Sequence, residues 1–238
     1  MAGKKKKKIV RPAYTPKAKE SKPLTKNQKL GILIGAAVLV VAILLFALLY
    51  DDGSLDVKKG EIVGAQESWI VSDLSDSSKS KYYKLGEITP LEGFTNDPEA
   101  TLRQEDDLST DFTMMPDDET AEISDYYVTG VANDAQSMIE TIHNYYTQLM
   151  TECGEISEIT LADGTVVPYL VAKYVPGEDV EGEASQCLCA YIPAERDASI
   201  LISVNNTLSE GREELSEDAL RGWAERIIDT ITVETKSR

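Results

Sequence analysis

Any chemistry in this chain of 238 residues has to start from three cysteines (Cys153, Cys187 and Cys189), one histidine (His143) and 41 acidic side chains. A zinc site needs three or four Cys, His or carboxylate ligands in one cluster. Cys187-x-Cys189 with a single distant imidazole does not make one. Nucleophilic catalysis needs a base within reach of the nucleophile. His143 and Cys153 stand ten positions apart on one predicted helix, nearly three turns along it, so they do not touch. Carboxylate pairs of the glycosidase kind are drawn from so many acids that no pair stands out. Asp106-Asp107 and Asp117-Asp118-Glu119 lack the spacing of a calcium loop, and no glycine-rich phosphate loop is present. Asn205-Asn206-Thr207 fits a glycosylation acceptor. The expectation is a protein with no catalytic residue, no metal and no cofactor.

The elements that must position these groups read clearly. Asn133 is a good N-cap, and the helix it starts is expected to run to Cys153, with Ala135, Met138, Ile142, Tyr145 and Leu149 as its apolar stripe and Gly154 as its stop. His143 falls at the border of that stripe. Cys187 and Cys189 alternate onto one face of a strand over 186–192. A disulfide from Cys153 to Cys189 or to Cys187 is therefore open to the chain, as is a reading in which all three are small buried apolar side chains.

Around them, strands are expected at 68–71, 82–88, 123–132, 156–161, 166–175 and 199–204, the hairpin between 156–161 and 166–175 being set by Asp163-Gly164. Residues 96–121 read as an acidic loop. A last helix begins at Ser216 and buries Leu220, Trp223, Ala224, Ile227 and Ile231. The predicted fold class is α+β, an antiparallel sheet packed with two long helices.

Upstream stands an uncharged run of 20 residues, Leu30 to Leu49, the length that spans a bilayer as a helix. Residues 1–29 carry 11 basic residues and one acidic; residues 51–238 carry 13 basic and 40 acidic. The positive-inside rule then keeps the amino terminus in the cytoplasm. The expected organisation is a disordered basic cytoplasmic tail over 1–29, a transmembrane helix over 30–50, a tether over 51–80 and an extracytoplasmic domain over 81–238. The localisation is a single-pass signal anchor at the cell membrane, with the lipid bilayer as one partner. Gly31 and Gly35 have the small-x-x-x-small spacing of helix pairs in membranes, which leaves a homodimer open. The tail has no recognition structure for nucleic acid.

The segment Tyr83-Lys-Leu-Gly-Glu-Ile88 with Gly93-Phe94, the helix after Asn133, the hairpin at Asp163-Gly164, the strand 187–192 and the closing helix from Ser216 follow one another in an order that resembles the PsbP-like family over residues 80–234. The resemblance implies an α/β/α sandwich that serves as a binding or assembly module. The functional expectation is accordingly an anchored module for a cell-envelope partner. A carboxylate-dependent hydrolase is the alternative.

Overall fold

The computed structural model describes residues 54–55, 57–58, 61–62, 68–74, 82–97, 111–118, 120–177, 182–209 and 212–235. The expected tail over 1–29, the expected span over 30–50 with Gly31 and Gly35, and Asp106-Asp107 lie outside them.

Strand-forming sequence dominates what is described. Among the described residues there are fourteen strands: β1 (Ser54–Leu55), β2 (Val57–Lys58), β3 (Glu61–Ile62), β4 (Trp69–Asp73), β5 (Tyr82–Ile88), β6 (Phe94–Asn96), β7 (Phe112–Pro116), β8 (Asp125–Val131), β9 (Glu152–Cys153), β10 (Ser157–Thr160), β11 (Val166–Tyr174), β12 (Ser185–Pro193), β13 (Ser199–Thr207) and β14 (Ile231–Val233). Among the described residues two helices are found, α1 (Ala135–Leu149) and α2 (Glu217–Ile228), of 15 and 12 residues. The expected α+β domain built on two long helices is corrected by this count: sheet, not helix, carries the architecture. Two local events explain the difference. The chain leaves α1 at Met150, whose backbone is extended (φ −86°, ψ 152°), so Cys153 belongs to β9 and not to the helix. The stretch expected as an acidic loop contains β7, whose Phe112 and Met114 are buried.

Among the described residues no helix is long and apolar enough to cross a membrane. The single-pass, signal-anchored membrane localisation is corrected on that finding, since the run on which it rested lies outside the described residues and no described helix supplies a span.

The central sheet has the order β10-β11-β12-β13-β8-β7-β6, with β9 pairing the same edge of β11 as β10 does, and all its pairings are antiparallel. Gly164, at φ 88°, turns the β10–β11 hairpin as the Asp-Gly pair predicts. A smaller sheet joins β1, β4 and β14 to β5. Its strand β4 lies upstream of Lys81, where the folded part was expected to begin, and Ile70 and Val71 are fully buried.

One face of the central sheet, with Tyr126, Val128, Leu188, Ile200 and Ile202, packs on the smaller sheet and on the stripe Leu220, Ala224, Ile227 of α2. Each Leu, Ile or Val among them contributes about 1.5–3 kcal/mol on burial. Two sheets can lie this close because Gly130 has no side chain: a Cβ there would stand 2.5 Å from the Val71 carbonyl oxygen. Helix α2 is capped by Ser216, whose hydroxyl accepts from the Ala219 N–H at 3.2 Å. Of its predicted stripe, Leu220, Ala224 and Ile227 are buried, Trp223 is half-buried against the core, and Ile231 has passed into β14.

Candidate functional site

The opposite face of the central sheet is covered only in part by α1. The helix starts at Asp134, not at the expected Asn133; the Asp134 carboxylate accepts from the Ser137 N–H at 2.9 Å. From there α1 packs along β9, β11 and β12, burying Ala135 and Ile139 against Leu170, Ala172, Cys187, Cys189 and Tyr191.

Antiparallel register then dictates what stands beside the helix. Cys189 pairs with Ser203, Ser203 with Tyr127 and Tyr127 with Thr113, while Cys187 pairs with Asn205 and Asn205 with Asp125. Directly paired residues share a face. Ser203, Asn205, Asp125, Tyr127 and Thr113 therefore form a polar array on β13, β8 and β7, each half-buried, next to a covered array of thiols.

The two arrays are joined by polar contacts. The Tyr146 hydroxyl of α1 lies 3.6 Å from Cys189 Sγ, and Cys189 Sγ lies 3.8 Å from Ser203 Oγ. Ser203 Oγ donates to Asn205 Oδ1 at 2.9 Å, and Asn205 Nδ2 donates to Asp125 Oδ1 at 2.6 Å. Further along, Thr129 Oγ1 donates to Asp111 Oδ1 at 2.5 Å.

The electrostatics follow from partial burial. Burial pushes the Asp125 carboxyl above its ordinary value, against the Asn205 hydrogen bond and the Arg212 charge, which pull it down. Burial, with the Asp111 charge beside it, pushes the Tyr127 phenol up. Burial and the neighbouring thiols push Tyr146 up as well. The Cys187 thiol donates toward Cys189, which lowers Cys189 against its burial and raises Cys187.

The sequence-predicted groups are placed as follows. All three cysteines are free thiols. Cys153 and Cys187 pair with Ala172 from opposite sides, two strand spacings or roughly 10 Å apart. Cys189 is farther along the diagonal. Both separations exceed the Cα distance that a disulfide bridges, so neither pairing is formed. His143 is half-buried on α1. The Asn205 side-chain amide, the expected glycosylation acceptor, is held by Asp125 within β13. Asp117 accepts from Thr95 Oγ1 of β6 at 2.5 Å, and Asp118 accepts from the Thr120 N–H of its own turn at 2.9 Å. Among the described residues no group of three or more His, Cys, Asp or Glu is placed to hold a metal ion.

Sequence reasoning missed the polar array. Its signal was the alternation in β8 and β13, which puts Asp125, Tyr127 and Thr129 on one face of one strand and Ser203 and Asn205 on one face of the other. Only the register shows that these two faces are the same face of the sheet.

No protein-family model matches the chain, and no curated protein matches it. The PsbP-like resemblance is therefore not confirmed. Among solved structures the chain is similar to LpqN of Mycobacterium tuberculosis, a protein involved in cell envelope biogenesis, at 13% identity over 63% of this chain and 83% of that one, with a TM-score of 0.39.

Proposed function

We propose that the chain is a binding or assembly module for a protein partner, without catalytic activity of its own, and that it works through the half of the α1 face that the helix leaves open. The observation behind this reading is the array of Ser203, Asn205, Asp125, Tyr127 and Thr113 on three adjacent strands. A sheet holds such groups at fixed spacing, so their ordering is complete before a partner arrives. Hydroxyl, amide and phenol groups supply the directional hydrogen bonds of a polar interface. The carboxylates there are engaged by neighbours, Asp125 by Asn205 and Asp111 by Thr129, in the manner of a recognition surface.

Site-specific photo-crosslinking in cells tests the proposal, with the crosslinker placed at Thr113 in the array or at Glu225 on α2 as the control. Envelope and soluble fractions are scored separately. A discrete heteromeric adduct from position 113, absent from position 225 and abolished by Asn205→Ala, is the expected result. Monomer alone, or equal adducts from both positions, overturns the proposal.

A further inference from the structure

Charge is distributed unevenly over the open half of the α1 face. Strands β6, β7, β8 and β13, which build it, contain no lysine, arginine or histidine. The helix at its border, α1, carries a single acidic side chain, Glu140, and no lysine or arginine. Carboxylates, by contrast, fall on the face at set intervals. Asp125 and Thr129 are four residues apart on β8, which sets them on one side of the strand about 14 Å from each other, with Tyr127 midway. Phe112 pairs with Val128, so Asp111 stands across from Thr129, whose Oγ1 donates to it. Asp97 stands beside Thr113 in the row of Tyr127, its N–H donating to the Thr113 carbonyl at 2.8 Å. The Asn205 amide that donates to Asp125 and the Thr129 hydroxyl that donates to Asp111 are neutral, so they orient these carboxylates without cancelling their charge. Arg212 pulls on Asp125 from the turn before β8, where it donates to Ser124 Oγ at 3.0 Å. Beyond Thr113 on β7, Met115 is 41% exposed and adds an apolar rim.

We infer that the partner of this face is an extended protein segment with two basic side chains about four residues apart, one seated on Asp125 and the other on Asp111, with Tyr127 between them. In extended conformation four residues advance about 14 Å and return to the same side of the chain, which matches the interval along β8. Charge complementarity rejects acidic segments. The Tyr127 ring offers a cation–π contact, which favours arginine over lysine. This identity rests on the face being a partner surface, as proposed above, and supplies the chemistry of that partner.

The test is fluorescence anisotropy of labelled synthetic peptides titrated with the full chain. The probes are Arg-Ser-Gly-Ser-Arg, an isomer with its two arginines adjacent, and the counterpart Glu-Ser-Gly-Ser-Glu. The spaced arginine peptide is expected to bind at least about fivefold more tightly than the isomer and to weaken about tenfold between about 50 and about 300 mM salt, while the acidic peptide does not bind. Asp125→Asn and Asp111→Asn, which keep acceptors for Asn205 and Thr129, should each weaken binding by about three- to tenfold, and Glu225→Gln on α2 by less than about twofold. Amide shifts at Thr113, Tyr127 and Thr129 in the unaltered protein should locate the peptide without any variant. Equal binding of the two arginine peptides, binding that survives both asparagine variants, or shifts confined to other elements overturns the inference. If a photo-adduct forms at Thr113 while the spaced peptide fails, the basic segment falls and the partner surface stands. If the peptide binds as expected and no adduct forms, the chemistry of the face is upheld and the cellular partner falls.

Discussion

The hydroxyl of Tyr146, on α1, lies 3.6 Å from Cys189 Sγ, on β12, and this contact is the polar pin in an otherwise apolar helix-to-sheet interface. Tyr146→Phe removes the pin and keeps the ring. It should lower stability by about 1 kcal/mol, the net value of one buried hydrogen bond. Urea unfolding with an unchanged slope is the measurement that checks this.

Gly130 and Gly222 should respond to alanine in opposite directions. A Cβ on Gly130 meets the Val71 carbonyl oxygen at 2.5 Å, a backbone atom that cannot rotate away. Gly130→Ala should therefore destabilise by about 1–3 kcal/mol through overpacking. Gly222 sits inside α2 with nothing within 4 Å of the added carbon. There alanine should stabilise by about 0.5–1 kcal/mol through helix propensity. Thermal unfolding of the two variants side by side reads both signs.

Gln186 holds the approach to α2. Its Oε1 accepts from the Leu215 N–H at 2.8 Å and from Asn206 Nδ2 at 3.2 Å, and its Nε2 donates to the Leu215 carbonyl at 3.0 Å. Gln186→Leu leaves these buried groups unmatched and should destabilise by about 2–4 kcal/mol. Amide exchange should show protection falling first in 215–228, the segment that the glutamine tethers.

Asp125 makes stability depend on pH in a stated direction. Its carboxyl is raised in the folded chain, so the fold prefers the protonated form. The favourable contribution is fully present below the ordinary Asp range and is lost as pH rises through the raised folded value. Asp125→Asn keeps an acceptor for Asn205 Nδ2 without the buried charge. The variant should melt higher than the parent at about pH 7 and show no such gain at about pH 3; a gain of equal size at both would refute the assignment.

The β12–β13 hairpin turns through Arg196 and Asp197, at φ 64° and 55°, without a glycine. Asp197→Gly should stabilise by about 0.5–1 kcal/mol by relieving the left-handed conformation. Arg196 is better left in place, because its guanidinium lies 4.1 Å from the centre of the Tyr83 ring. Arg196→Asn exchanges that stacking for an easier turn, and its gain should be the smaller of the two in chemical denaturation.

Local signals explain which elements were legible. Ser216 capped α2 where the sequence placed it, and Asp163-Gly164 turned its hairpin, because a cap and a tight turn are settled within four residues. The end of α1 was not legible in the same way. Met150 leaves the helix so that Glu152 and Cys153 can pair with Lys173 and Ala172, about twenty residues on. Phe112 to Pro116 read as loop because acidic residues flank it, and it became a strand through pairing with β8.

The same division holds for the chemistry. By itself the sequence determined that Cys187 and Cys189 share a strand face and that Cys153 belongs to another element. Period two and sequence distance suffice for those statements. Only the tertiary structure decided that Ala172 separates Cys153 from Cys187, that Tyr146 closes over the thiols, and that Ser203, Asn205 and Asp125 continue from them across the sheet. These are relations of register between strands far apart in the chain. A shift of one residue would have turned each of those side chains to the other face.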